Sequence, residues 1–212
     1  MTGAAAMVSV VIPCYNYAAY LPDAVNSVVN QTYREFEIII VNDGSSDNSL
    51  EVAARLAAGS PDCRIRVIDQ KNQGVAASRN NGIGLASGRY VMSLDADDWL
   101  EPTYLEETVS VLEEGADIAY TSLRMFGESS DIFLSWEFSP ARLRRGNYIN
   151  THALYRRECW ARAGGFSPPL RGLGVLGFPR GGGLCAQAYK EAARELPDAR
   201  GVQEPRAGGR KG

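Results

Sequence analysis

Five short apolar runs alternate with segments of helical periodicity over the first 121 residues, and this alternation leaves few folds open. Val8–Ile12 (ended by Pro13), Phe36–Val41, Ile65–Ile68, Tyr90–Leu94 and Asp117–Thr121 are rich in β-branched and apolar residues and too short for stable helices. Such runs suit strands covered on both faces. Between them, Leu21, Ala24, Val25, Val28 and Val29 recur at helical spacing, which predicts a helix over 18–30. Leu50, Ala53, Ala54 and Ala57 mark a second helix that Gly59 stops. A third spans Gly74 to about Ser87, stopped by Gly88, and a fourth spans Pro102–Glu114 with proline in its first turn. Strands separated by helices require crossovers, which are right-handed. The expected fold class is α/β, a mostly parallel sheet sandwiched by helices.

The chain of 212 residues is long enough for one domain with a sizeable core. Its net charge of −3 gives no sign of nucleic-acid binding. The charge is uneven: residues 171–212 hold eight Lys and Arg against four Asp and Glu, whereas the rest hold 14 against 21. No apolar run approaches the ~20 residues that span a bilayer. Met1–Met7 lacks the basic and apolar segments of a secretion signal. Cys14, Cys63, Cys159 and Cys185 are scattered without paired spacing, the pattern of reduced thiols in a cytoplasmic protein, peripheral at most at the inner face of the membrane.

Beyond residue 122 the pattern weakens. Ile132–Trp136 is a candidate strand, and Thr151–Ala163 reads as a helix ended by Gly164-Gly165. After Pro168-Pro169 the composition breaks. Residues 171–183 are mostly Gly, Leu, Arg and Pro, only Cys185–Leu196 is fit to form a helix, and the last dozen residues read as disordered. The expected organisation is a domain over 7–168 and an irregular tail over 169–212.

Three loops follow strand C-termini and converge on one sheet edge: Pro13–Asn16, Asn42–Asp47 and Asp95–Asp98. Open α/β sheets bind ligands at that edge. The run Asp95-Ala96-Asp97-Asp98 offers oxygen ligands to a hard divalent cation that bridges substrate phosphates. Lys71–Asn80 opens the third helix, where Gly74 permits close backbone approach and helix amides with Lys71 or Arg79 suit phosphate charge. An aromatic residue, a solitary acid able to accept a uracil-like N3–H, cations and a carboxylate pair together suit a nucleoside diphosphate. Plainer roles are a charged turn for 95–98, turn and cap roles for Asp43 and Asp47, a solvated face for Arg79, and core or pocket wall for Trp99. A nucleotidyltransferase wants a Gly-rich basic loop after the first strand, and a dinucleotide oxidoreductase wants GxGxxG there. Pro13-Cys14-Tyr15-Asn16 is neither.

The runs "VSVVIPCYNYAAYLPDAVNSVVNQTYREFEIIIVNDGSSDNSLEVA", "NQGVAASRNNGIGLASGRYVMSLDADDWL" and "ARAGGF" together resemble a family 2 glycosyltransferase of the GT-A fold, over about residues 7–168. The resemblance implies transfer of a sugar, with inversion, from a nucleotide-diphosphate sugar, UDP-type by preference, to an acceptor. Polysaccharide, lipid-linked glycan and protein acceptors all remain open. It places Pro13, Tyr15 and Asp43 in the nucleoside pocket, Asn72, Gly74 and Arg79 on the diphosphate side, Asp95 against ribose or sugar, and Asp97 on manganese or magnesium.

The same resemblance implies an acceptor-side base, a carboxylate shortly after Gly-Gly-Phe in a pattern such as Tyr-Glu-Asp-Trp. Here Gly164-Gly165-Phe166 is present, but Leu170–Gly177 contains no acid, and His152, the sole histidine, reads as structural or acceptor-lining. Leu170–Gly177 permits the codons CTA CGA GGA CTG GGA GTT CTG GGN. Read one base on, these spell Tyr-Glu-Asp-Trp-Glu-Phe-Trp. A one-base insertion or deletion near Ser167–Leu170 therefore accounts for the missing acid, the composition break and the basic tail. The expected chain keeps donor binding and transfers little sugar, and its alternative reading is a nucleotide-sugar-binding pseudoenzyme.

Overall fold

The computed structural model describes residues 7–127, 130–135, 138–143 and 149–166. The predicted tail over 169–212 and the candidate helix Cys185–Leu196 lie outside the described residues. The chain runs β1 (Val8–Cys14), α1 (Leu21–Val29), β2 (Phe36–Asp43), α2 (Ser49–Gly59), β3 (Arg64–Gln70), α3 (Val75–Gly84) and β4 (Tyr90–Ser93). It continues with α4 (Tyr104–Glu113), β5 (Ile118–Ala119), β6 (Leu123–Arg124), β7 (Ile132–Phe133), α5 (Pro140–Leu143), β8 (Leu154–Arg156) and α6 (Arg157–Ala163). The main sheet has the order β3-β2-β1-β4-β8-β5, and β6 and β7 form a separate small ladder.

Alternation of side chains along the central strands builds two cores from one sheet. Val10, Ile12, Ile38 and Ile40 face α1, α2 and α4, packing with Leu21, Val25, Val52, Leu105 and Leu112. Val11, Ile39, Val41 and Val91 face the other way, against Ala76 and Ile83 of α3 and against Phe166. β1, β2, β3 and β4 pair in parallel, as the apolar runs of β1, β2 and β4 predict. β3, at the edge, alternates between exposed and partly buried positions instead.

Residues 151–163 correct the sequence reading. They do not form one helix: Leu154–Arg156 is a strand inserted antiparallel between β4 and β5, with Tyr155 opposite both Val91 and Ile118. Only Arg157–Ala163 is helical. Tertiary pairing overrides local helical periodicity here, because β4 otherwise presents an unpaired edge. The strand expected over 132–136 is confined to Ile132–Phe133.

At the opposite sheet edge from the site, Glu37 is 2% exposed and serves as an internal anchor. It accepts hydrogen bonds from Ser9 Oγ at 2.6 Å and Ser87 N–H at 2.6 Å, and pairs with Arg66 at 3.0 Å. Burial pushes its carboxyl pKa up, but the Ser9 hydroxyl, the Ser87 amide and Arg66 outweigh that, and the net shift is below the ordinary 4.5. A lowered folded-state pKa contributes stability above the unfolded value and loses it as pH falls through the folded one. Glu37→Gln is therefore expected to lower stability by about 1–2 kcal/mol at pH 7 and to flatten the loss of stability below pH ~4.5. Denaturant midpoints measured between pH 7 and 3 check this, and identical pH slopes in both proteins would refute it.

Candidate functional site

β1 is followed in space by β2 and β3 on one side and by β4 on the other. The chain reverses its direction of sheet growth between β1 and β4, and a ligand crevice opens at the carboxyl ends of those strands. Two loops are locked together on the β1 side. Asn16, held at φ 61°, accepts from Ser46 N–H at 2.8 Å and from Asp47 N–H at 3.3 Å. Asp47 in turn accepts from Ser49 N–H at 3.0 Å and Ala18 N–H at 3.2 Å, the turn and cap role expected of it. The serine contacts at Ser49 lead the forces that lower its pKa.

Beyond β4, Leu94 N–H still donates to Val11 O before the chain turns tightly, with Asp98 N–H donating to Asp95 O at 3.0 Å. That turn exposes Asp97, partly buries Asp95 and Asp98, and buries Ala96. Tyr17 belongs to the loop after β1. The negative charge of Asp97 is the largest cause raising the Tyr17 phenol pKa. The sequence pointed to Tyr15, which is exposed at the end of β1, and passed over Tyr17 in the same loop. Pro13 is buried within β1, opposite Val41.

Arg79 is not a solvated helix residue. It is 3% exposed, donates from Nε to Ser93 Oγ at 3.1 Å and pairs with Asp95 Oδ1 at 2.6 Å. Its guanidinium lies 5.7 Å from the centroid of the Phe166 ring. Phe166 reaches this place because Gly164 and Gly165 both take positive φ after α6. A Cβ on Gly165 would stand 2.7 Å from Asn80 Oδ1. Asn80 receives the motif through Phe166 N–H at 2.7 Å and donates to Phe166 O at 2.8 Å. The Gly-Gly-Phe segment thus docks behind the arginine that steadies the first aspartate.

Asp43 is also buried, 3% exposed, at the end of β2. It accepts from Gln70 Nε2 at 2.7 Å, Gln73 N–H at 2.9 Å and Gly74 N–H at 2.9 Å. The carboxylate offered by the sequence to a nucleobase therefore already holds the loop before α3, and it engages the Gly74 amide at the start of the helix expected to face phosphate. Gly74 itself sits at φ 87° with open space around it, and Asn72 is exposed. Gly44 must be glycine: at φ 69° its Cβ would fall 2.8 Å from Asn72 N. Trp99 is not core either, being half-exposed and stacked on Phe126 at 3.9 Å.

The turn gathers a residue not assigned to it from sequence. His152, just before β8, brings Nε2 to 3.0 Å from Asp98 Oδ2 and 3.9 Å from Asp95 Oδ2. One ligand atom from each of the three lies within 4.8 Å of the others, whereas Asp97 lies outside this group. The imidazole is 7% exposed and its Nε2 has no hydrogen-bond partner. Two carboxylates and an orphaned imidazole nitrogen fit a divalent ion.

The sequence model described as "Glycosyl transferase family 2" matches residues 9–167. The chain belongs to glycosyl transferase family 2. This family 2 chain is 35% identical over 182 residues to the putative glycosyltransferase EpsH of Bacillus subtilis, covering 78% of itself and 51% of EpsH. It spans at most about half the length of the curated relatives with which it aligns. Two solved structures share its GT-A fold. Residues 1–349 of Staphylococcus aureus TarS in complex with UDP-GlcNAc superpose with a TM-score of 0.64 at 21% identity, over 76% of this chain and 48% of that fragment. The mannosyltransferase PcManGT of Pyrobaculum calidifontis, in complex with GDP-Man and Mn2+, gives 0.61 at 22% identity, over 76% and 47%. Among the described residues, no helix of this family 2 chain is long and apolar enough to cross a membrane.

Proposed function

We propose that residues 7–168 form the donor-binding part of a glycosyltransferase that moves a sugar from a nucleoside diphosphate to an acceptor hydroxyl with inversion. The observation that carries this reading is the carboxylate turn at the β1/β4 switch point, with Arg79 fixing Asp95. The UDP-GlcNAc on TarS and the GDP-Man with Mn2+ on PcManGT support the donor class, and a UDP-type donor remains the preferred one. Pro13 and Tyr15 border the nucleoside, and Asp43 shapes its floor through Gln73 and Gly74. Asn72 and Gly74 flank the diphosphate. Asp95, steadied by Arg79, borders ribose or sugar. Asp97, exposed near Tyr17, would help to engage a divalent ion, manganese or magnesium, that accompanies the diphosphate. When bound, that ion neutralises the two phosphates and the charge on the departing diphosphate. The acceptor is a polysaccharide, a lipid-linked glycan or a protein, and the setting is cytoplasmic, peripheral to the inner membrane face at most.

Inversion needs a base for the acceptor hydroxyl as it attacks the anomeric carbon. Leu170–Gly177 has no carboxylate to serve. The chain is therefore expected to bind donor and transfer little sugar. Asp97→Ala tests the donor half: UDP affinity in Mn2+ is expected to fall about tenfold or more. Unchanged UDP affinity in Mn2+ would remove Asp97 from the donor site.

A further inference from the structure

His152 is held for a purpose that packing alone does not explain. Its N–H donates to Asn150 Oδ1 at 3.1 Å, and its carbonyl accepts from the Tyr104 hydroxyl. Tyr104 is buried, which drives its pKa far above the ordinary tyrosine value and keeps it a donor. Both bonds fix the His152 backbone beside the turn. Asp95 is likewise fixed, with Oδ1 neutralised by Arg79 and Oδ2 turned toward His152. The buried Nε2 stands 3.0 Å from Asp98 Oδ2 but makes no hydrogen bond to it, which leaves the nitrogen available to a ligand shared with that carboxylate. The group is preorganised before any ligand arrives.

We infer that Asp95, Asp98 and His152 form a protein-only site for a divalent transition ion, which loads without nucleotide and is ligated by the His152 imidazole. The inference rests on the metal-assisted reading above and adds to it an order of binding and a preference among ions. Magnesium is held by one or two carboxylates together with substrate phosphates, so such an ion arrives with the donor. Three protein donors, one of them nitrogen, hold an ion alone and favour manganese over magnesium, because imidazole suits transition ions and magnesium prefers oxygen. Asp97 then remains on the open side to couple the loaded ion to the diphosphate.

Manganese titration of the full chain without nucleotide, followed by electron paramagnetic resonance, tests this. One bound Mn2+ is expected, with pulsed spectra showing coupling to a single imidazole nitrogen. His152→Ala is expected to abolish the nitrogen coupling and weaken Mn2+ about tenfold or more. Asp98→Asn, on the turn rather than in the core, is expected to weaken it comparably with the fold intact by near-ultraviolet circular dichroism. Asp97→Asn is expected to keep both the nucleotide-free Mn2+ and its nitrogen signal. Mn2+ that binds only when UDP is present, without nitrogen coupling, overturns the inference and leaves the donor reading standing. Absence of Mn2+ with and without UDP overturns both.

Discussion

Arg79→Met is expected to lower the stability of this protein by about 3 kcal/mol, at the lower end for breaking a buried pair because Asp95 is partly exposed. For a chain of this size that is a fall of ~6–12 °C in Tm. The methionine fills much of the volume but removes the donors to Ser93 and Asp95 and the cation facing Phe166. Asp95 is then freed from its fixed rotamer beside the ligand crevice, and UDP affinity is expected to drop about tenfold or more, since tenfold is only ~1.4 kcal/mol. Arg79→Lys keeps the charge but has no planar fork to reach both partners, so it is expected to fall between the two. Thermal unfolding and UDP titration of the three proteins check this together. An unchanged Tm in Arg79→Met would show that the buried guanidinium contributes no net stability, and unchanged UDP affinity would detach Asp95 from the donor.

Asp43→Ala is expected to be comparably severe, by a different route. Three donors converge on that carboxylate, two of them backbone amides at the approach to α3. Hydrogen bonds to a charged group contribute about 1.5–3 kcal/mol each, and removing the acceptor leaves its donors unsatisfied. Water reaching the exposed loop offsets part of this, so the expected net loss is about 3 kcal/mol. Residues 71–74 should then lose order, and uridine and UDP affinity should fall together by about tenfold. Amide hydrogen exchange at Gln73 and Gly74, read beside the nucleoside titration, separates the consequences. Lost protection with unchanged nucleoside affinity would confine Asp43 to a structural role.

The parts of this fold that were legible in the sequence are those in which local pattern and tertiary fate agree. Val10, Ile12, Ile38 and Ile40 on one face and Val11, Ile39 and Val41 on the other leave a strand no solvated side, so continuous apolar runs announced a parallel sheet. β8 was hidden because three residues, Leu154–Arg156, run straight into α6 without a turn signal. Its identity comes from pairing with β4 and β5, distant in sequence. His152 was hidden with it, since a histidine 54 residues after Asp98 reaches the carboxylate turn only once β8 is in place. The turn itself was plain, being an acidic run at the end of an apolar strand. Arg79 was visible as a cation near a helix start, but its burial against Ser93, Asp95 and Phe166 is a property of three elements at once. The Gly-Gly-Phe motif was visible as letters, while its work on Asn80 depends on the positive φ of both glycines.

Calorimetric titration of the unmodified chain with UDP, in Mn2+ and again after chelation, bears most directly on whether this is a metal-assisted nucleotide-sugar site. Saturable binding of one UDP in Mn2+, weakened about tenfold or more by chelation, is the expected result. No binding of UDP or of GDP in Mn2+ would contradict it.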